Sequence, residues 1–468
     1  MGAQGSKRKR EVMARDLTKG KPLKGILLFS LPIMAGLLLQ QLYSSVDKIV
    51  VGNSISQDAL SAVGTCMPLT FFFVAFAMGL SNGAGVVFSQ YYGAKRMESL
   101  RTAFSTAAIL LVCIGAALTG VALVLARTML GGVLKVPDKI IDDAVGYFSI
   151  YCIGLVFQFV YNAVSAALRA VGDSLATLIF LLISSVLNII LDLLFVLQFR
   201  WGVEGTAIAT VISQAVSAIV SVIYMQKKYD YYRFRKGEFA FNGQMCKLTL
   251  KFGVPTMIQM CIVSGGQVVI QRVANDMGPA AIAAATAASG IENYIFIPSQ
   301  SFNNGMSMYT GQNVGAGNIS RVYEGHRKTL MISVGICIVL MVVSLVFAKA
   351  LIGLFGVEGE ALSLGIKHLR FIAPFYICFA AYMPTVAVLT GSGDVYFSTC
   401  VTLSGLGMRV LATYVFYYLF RFEFASLYYA VPLGWLLLLV MAVIRFKSGK
   451  WQTKRVVKGG PAPQTSEE

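Results

Sequence analysis

Two polar side chains, Asn188 and Asp192, stand one helical turn apart inside FLLISSVLNIILDLLFVLQF, residues 180–199, a run otherwise apolar enough to cross a bilayer. A charged group at the centre of a membrane helix costs roughly 2.5–3.5 kcal/mol on insertion scales, so such groups are rare without a use. Most other charges lie at segment ends, where long side chains reach the interface. The internal exceptions are Asp47 beside Lys48, Asp192, Glu292 and Arg409. At about 1.5 Å per helical residue, Asp47, Asp192 and Thr210 fall at similar depth in the outer halves of the first, fifth and sixth apolar segments. Asn188 lies one turn deeper on the face of Asp192, and Tyr43 one turn deeper than Asp47. Carboxylate, amide, hydroxyl and phenol oxygens are hard donors, which suits Na⁺ held by Asp47, Asn188, Asp192 and Thr210. A low dielectric also favours a protonated carboxyl, so a proton fits the same set, and the choice of ion stays open.

Other chemistries find no support in the residues. There is no GxxxxGK[ST] phosphate loop, and only two histidines, His326 and His368, each near the end of an expected helix. The eight cysteines are scattered without a CxxC. GLSNG, residues 79–83, matches the GxSxG nucleophile elbow in form, yet it lies in an apolar segment and reads better as a GxxxG helix-packing motif. The expectation is a protein that is not an enzyme and has no cofactor.

The elements that must position these residues follow from composition. Of 468 residues, 56% are hydrophobic and 13% charged, against roughly 25% charged in soluble domains. Mean hydropathy is +0.70. About twelve segments between residues 25 and 446 approach the roughly 20 residues that span a bilayer, without the alternation of barrel strands. The fold class is therefore an all-α integral membrane protein. The first 24 residues are polar, so no cleavable signal is expected. Gly2 to Ser6 fits a myristoylation pattern that a polytopic protein does not need.

Lys and Arg gather before residue 25, at 95–101, at 227–251 and after residue 444, which predicts cytoplasmic termini. The net charge of +17 is then a topological signal, and no nucleic-acid partner is expected despite KRKR at 7–10.

The chain also repeats itself. SLPIM and QYYGAKR in the first half correspond to GVPTM and GQNVGAG in the second, and ALRAVGD to VLTGSGD, at an offset of about 222 residues. Six segments repeat in parallel orientation. The expected plan is a tail (1–24), an N-lobe (25–226), a linker (227–247), a C-lobe (248–446) and a C-terminal tail (447–468). Two pseudo-symmetric six-helix lobes around a central cavity suit alternating access, and the absence of a nucleotide loop points to a secondary transporter. By the offset, Asn188 and Asp192 correspond to Arg409 and Thr413, so the second lobe has lost the acid and gained a cation.

LPIMAGLLLQQLYSSVDKIVVG, QYYGAKR, ALRAVGDS, LNIILD and GTAIATVISQ together resemble the multidrug and toxic compound extrusion (MATE) family, from about residue 25 to 446. The resemblance implies twelve helices in two lobes and export of organic cations against H⁺ or Na⁺. It implies ion-coupling roles for Asp47, Asn188, Asp192 and Thr210, and a bending role for Pro32. Segments 248–271 and 366–388 lack the acids of one branch of the family, which favours a DinF-like prokaryotic branch.

Glu292 and Arg409 lie at nearly equal depth and are expected to pair, the alternative being that Glu292 attracts cationic substrate. Gln40, Gln41, Gln158, Gln300 and Asn304 either line the cavity with Glu292 or join helices by hydrogen bonds. Met257, Met260, Tyr294 and Phe296 are candidates for an adaptable lining. Phe71 to Phe73 read as lipid or core packing. The partners expected are small, cationic amphiphiles and membrane lipid, for a monomer in the plasma (inner) membrane. A lipid-linked oligosaccharide flippase is the competing reading; it would want several arginines in the first lobe.

Overall fold

The computed structural model describes the backbone of residues 15–54, 57–134, 136–234 and 240–457, with the side chains of residues 43–54, 57–60 and 133 outside the described set. Among the described residues there is no strand. Hydrocarbon offers the backbone no hydrogen-bond partners, so apolar runs of this length close their own ladders as helices.

The first half builds α1 (Pro22–Ser54), α2 (Gln57–Gly93), α3 (Met97–Arg127), α4 (Ile141–Ile153), α5 (Leu155–Ala170), α6 (Ser174–Leu193) and α7 (Gly202–Lys228). The second builds α8 (Gly243–Asp276), α9 (Pro279–Gly315), α10 (Ile319–Gly353), α11 (Gly359–Ile372), α12 (Tyr376–Ser392), α13 (Val395–Tyr414) and α14 (Ala425–Lys447). Among the described residues eleven spans are long and apolar enough to cross a membrane, with α11 and α12 counted as one. The pair α4 and α5, bent by 41°, makes a twelfth when it is counted as one span.

The repeat extends into local geometry. Left-handed φ recurs at matching positions: Lys95 and Gly317, Gly172 and Gly393, Arg200 and Arg421, Gly202 and Glu423. π-helical turns end α6 at Leu194–Gln198 and α13 at Val415–Leu419. In RAVGD, Gly172 has φ +87°, and a Cβ there would fall 2.2 Å from the Arg15 carbonyl oxygen. The turn thus excludes any side chain. The next residue, Asp173, caps α6 by accepting from the Ala176 N–H at 3.2 Å. It also accepts from Tyr229 and Tyr224 hydroxyls at 2.6 and 2.9 Å and from Lys228 at 3.0 Å. Burial, and then the Asp173 carboxylate, push the Tyr229 phenol far above its usual range, so it remains a donor. In the second half Asp394 holds Arg445 at 2.7 Å.

The chain divides into two compact units, and the division differs from the expected lobes. One holds Ala35–Met257 with the described residues up to Asp16; the other holds Leu17–Met34 with Ile258 onward. Helices α1 and α8 are therefore shared, each changing unit two residues past an internal proline, Pro32 and Pro255. The physical reason is close helix approach. A Cβ on Gly79 would lie 2.3 Å from the Met257 Cα, and one on Gly83 would lie 2.3 Å from the Gly253 nitrogen. GLSNG is thus the seat on which the first part of α8 packs against α2, the packing role expected of it. In the second unit a Cβ on Gly305 of α9 would meet the Ser30 hydroxyl at 2.0 Å, so α1 begins on α9 in the same manner.

The expected tails and linker are partly folded. The Leu17 N–H donates to Gln312 at 2.9 Å, Tyr232 of the 227–247 segment is buried, and the Trp451 indole donates to the Phe446 carbonyl at 3.0 Å. Phe73 is core while Phe71 and Phe72 are exposed, as packing residues would be.

A buried carboxylate, amide and hydroxyl on α6 and α7

On α6 the usual amphipathic logic is inverted. Leu182, Val186, Ile190 and Leu193 form the exposed stripe, with Val186 at 48% and Ile190 at 56% exposure. The opposite face carries Ser185, Asn188 and Asp192, the last two only 2% and 1% exposed. A helix in lipid gains nothing by hiding leucine, whereas a polar group left in hydrocarbon loses its hydrogen bonds. Sequence spacing therefore turns this face onto α7.

The α6–α7 seam is a ladder of such bonds. Ser217 donates to the Phe180 carbonyl at 3.1 Å, Ser184 to the Ser213 carbonyl at 3.2 Å, and Asn188 Nδ2 to Thr210 Oγ1 at 3.3 Å. Thr210 in turn donates to the Thr206 carbonyl at 3.0 Å. Its hydroxyl proton is thus turned back along α7, and its oxygen faces Asn188. The rungs at 180, 184 and 188 lead toward Asp192 one turn on. Ser184, Ser213 and Ser217 were not singled out from sequence, although their spacing on one helical face was the available signal.

Of the expected ion-coupling residues, Asn188, Asp192 and Thr210 belong to this seam. Tyr43 and Asp47 lie on α1, but their side chains are outside the described residues. The earlier part of α1 does reach α6, since a Cβ on Gly36 would stand 3.4 Å from Leu181 and 3.7 Å from Leu178. The oxygens of Asp192, Asn188 and Thr210 fit a proton or a hard monovalent cation; among the described residues no cluster of three His, Cys, Asp or Glu side chains exists to hold a harder-won metal.

The expected cavity residues divide between the units. Gln40 is exposed and Gln41 and Gln158 half-buried in the first; Gln300 is exposed and Asn304 half-buried in the second. Phe296 packs into an aromatic group with Phe379, Trp435 and Tyr376, which is core work.

The expected Glu292–Arg409 pair is not formed. Glu292 is paired instead with His368, Nε2 to Oε1 at 3.2 Å. Depth alone selected Arg409, but α11 brings an imidazole to the carboxylate first. His368, placed near a helix end from sequence, lies well inside the α11–α12 span and is buried.

Two units with eleven or twelve spans among the described residues, a repeat of this kind and a buried acid in the first unit define a class of membrane transporter rather than an enzyme. Residues 32–194 and 255–415 match the family model MatE, and the chain belongs to that family, the multidrug and toxic compound extrusion transporters. It is similar to the probable multidrug resistance protein YpnP of Bacillus subtilis, with 28% identity over 95% of this chain and 99% of that one. YoeA of the same organism, also named a probable multidrug resistance protein, shows 26% identity over 94% and 97%. Among solved structures, a MATE protein in complex with MaD3S superposes with a TM-score of 0.85 at 24% identity, covering 93% of this chain and 96% of that one. A MOP superfamily transporter from Pyrococcus furiosus gives 0.87 at 23% identity over 92% and 96%. These likenesses establish the shared fold.

Proposed function

We propose that this chain is a cation-coupled antiporter that exports organic cations by alternating access, driven by H⁺ or Na⁺. The observation that supports this reading is the buried Asp192 with Asn188 and Thr210 on one seam, because an acid at 1% exposure within a membrane helix is rare without a use. The names of the relatives support drugs as the class of cargo. The absence of acids from residues 248–271 and 366–388 supports a DinF-like branch, with coupling in the first unit.

The coupling ion enters from outside and binds at Asp192 and Asn188, with Asp47 and Tyr43 supplied from α1. Binding neutralises the carboxylate, which removes the electrostatic reason for the seam to hold a second cation. The helix α1 repacks near Pro32, where no backbone N–H ties the chain to the preceding turn, and the cargo leaves. Reorientation then releases the ion inside. Gln40, Gln41, Gln158, Gln300 and Asn304 contact the cargo, while Glu292 is engaged by His368. The protein works as a monomer in the plasma membrane with both termini cytoplasmic, as the Lys and Arg distribution supports.

The test is export of a cationic dye from proteoliposomes with H⁺ and Na⁺ gradients imposed separately. Export driven by one gradient and abolished by Asp192→Asn supports the reading. Export that needs neither gradient overturns it.

A further inference from the structure

The second unit buries a separate set of ionisable groups. Glu292 on α9 is 8% exposed and His368 on α11 is 4% exposed, joined at 3.2 Å. The neighbouring elements each turn a group toward this pair. Tyr376 at the start of α12 and Arg409 on α13 lie within electrostatic range of the carboxylate. Tyr428 on α14 meets the imidazole edge-on at 5.5 Å between ring centroids. From α10, Cys337 lies within electrostatic range of Tyr376, and the Ser344 hydroxyl approaches the Tyr376 hydroxyl without hydrogen-bond geometry.

Two nitrogens in this cluster are buried without a partner, His368 Nδ1 and Arg409 Nε. A histidine placed only for packing would have both ring nitrogens satisfied, because a bare one is costly in a dry interior. Chemistry explains the vacancy. With Glu292 ionised, a neutral imidazole puts its single proton on Nε2, toward Oε1. Nδ1 then keeps an unshared pair, and a second proton taken from water goes there. That step changes the net charge of Glu292, His368 and Arg409 from zero to +1.

We propose that the Glu292–His368 pair is a second proton-binding site, built in the second unit from a carboxylate and an imidazole, and that its occupancy opposes binding of the cationic cargo. The second half of this statement rests on the antiport reading above; the first does not. An added positive charge beside Arg409, in surroundings of low dielectric, raises the free energy of any further cation nearby.

The chain contains two histidines, so ¹⁵N-histidine NMR of the full-length protein in nanodiscs gives two imidazole sets, assigned with His326→Gln. Reversible protonation of His368 at Nδ1 across a pH series is the result expected. Glu292→Gln should weaken its proton affinity at least tenfold, and Arg409→Met should strengthen it. If Glu292→Gln does not fold, the opposite shift in Arg409→Met carries the test. A His368 that keeps one protonation state throughout, or whose midpoint neither variant moves, overturns the site. Saturating tetraphenylphosphonium should weaken proton binding at His368 in the wild type. An unmoved midpoint with the probe bound overturns the opposition to cargo, whereas failure of the probe to bind while His368 still titrates overturns the export reading instead.

Discussion

The same stretch of fold carries opposite chemistry in the two units. In the first, α6 places Asn188 against Thr210 of α7 and buries Asp192 one turn on. In the second, the matching helix α13 places Arg409 and Thr413, and the position matching Thr210 is Val431 on α14. Thr413 turns its hydroxyl back to the Arg409 carbonyl at 2.8 Å, a bond within its own helix. Backbone geometry is conserved between the units, down to the left-handed residues and π turns, while the polar ladder is not. A duplicated scaffold thus fixes where a polar group can stand, and a few substitutions decide whether that position carries an acid or a cation. The second unit buries its acid elsewhere, on α9, with a histidine as partner.

The largest expected effect separates the two positions directly. Asp192→Asn should lower gradient-driven export about a hundredfold, roughly 3 kcal/mol of coupling, while the protein still inserts. Its counterpart Thr413→Val should leave export within about twofold, since only a back-bond is lost. Equal losses in both variants, measured in proteoliposomes, would remove the functional asymmetry of the units.

A second contrast concerns the helix seats. Gly83→Ala should destabilise by about 1–3 kcal/mol, read as a lower thermal midpoint in detergent, because the new methyl meets the backbone of Phe252 and Gly253. Gly305→Ala should cost less, since its tightest neighbour is the hydroxyl of Ser30, which can rotate away. A larger loss at Gly305 would show that the two seats are not used alike.

The smallest effect tests the ladder. Thr210→Val removes the acceptor of the Asn188 amide, worth about 1 kcal/mol, so coupling-ion affinity should fall about fivefold in a concentration series of the driving ion. Thr210→Ser should restore it. A Thr210→Val protein with unchanged ion dependence would leave Asp192 acting without this support.

Much of this was legible before the structure. The spans, the repeat and the asymmetry between Asp192 and Thr413 follow from apolar length and residue spacing, which are local and periodic. GLSNG could be assigned to packing because its glycines sit four apart on a helix, and Gly79 and Gly83 do meet the backbone of α8. The partner of Glu292 could not be read, because depth along a helix says nothing of which neighbouring helix turns a side chain toward it. Composition marks the polar segment at 227–247, whereas the compact units part inside α1 and α8, where close helix approach rather than composition draws the division.

Sequence by itself therefore determined the membrane class, the twofold organisation and the polar face of α6, all consequences of hydrophobic length and helical period. Tertiary structure alone decided that the Asn188 amide donates to Thr210 and that His368 takes Glu292. It also decided that each unit is begun by a helix shared with the other. Those outcomes depend on helix rotation and close approach, and a glycine with no Cβ permits the approach without naming the helix that will make it.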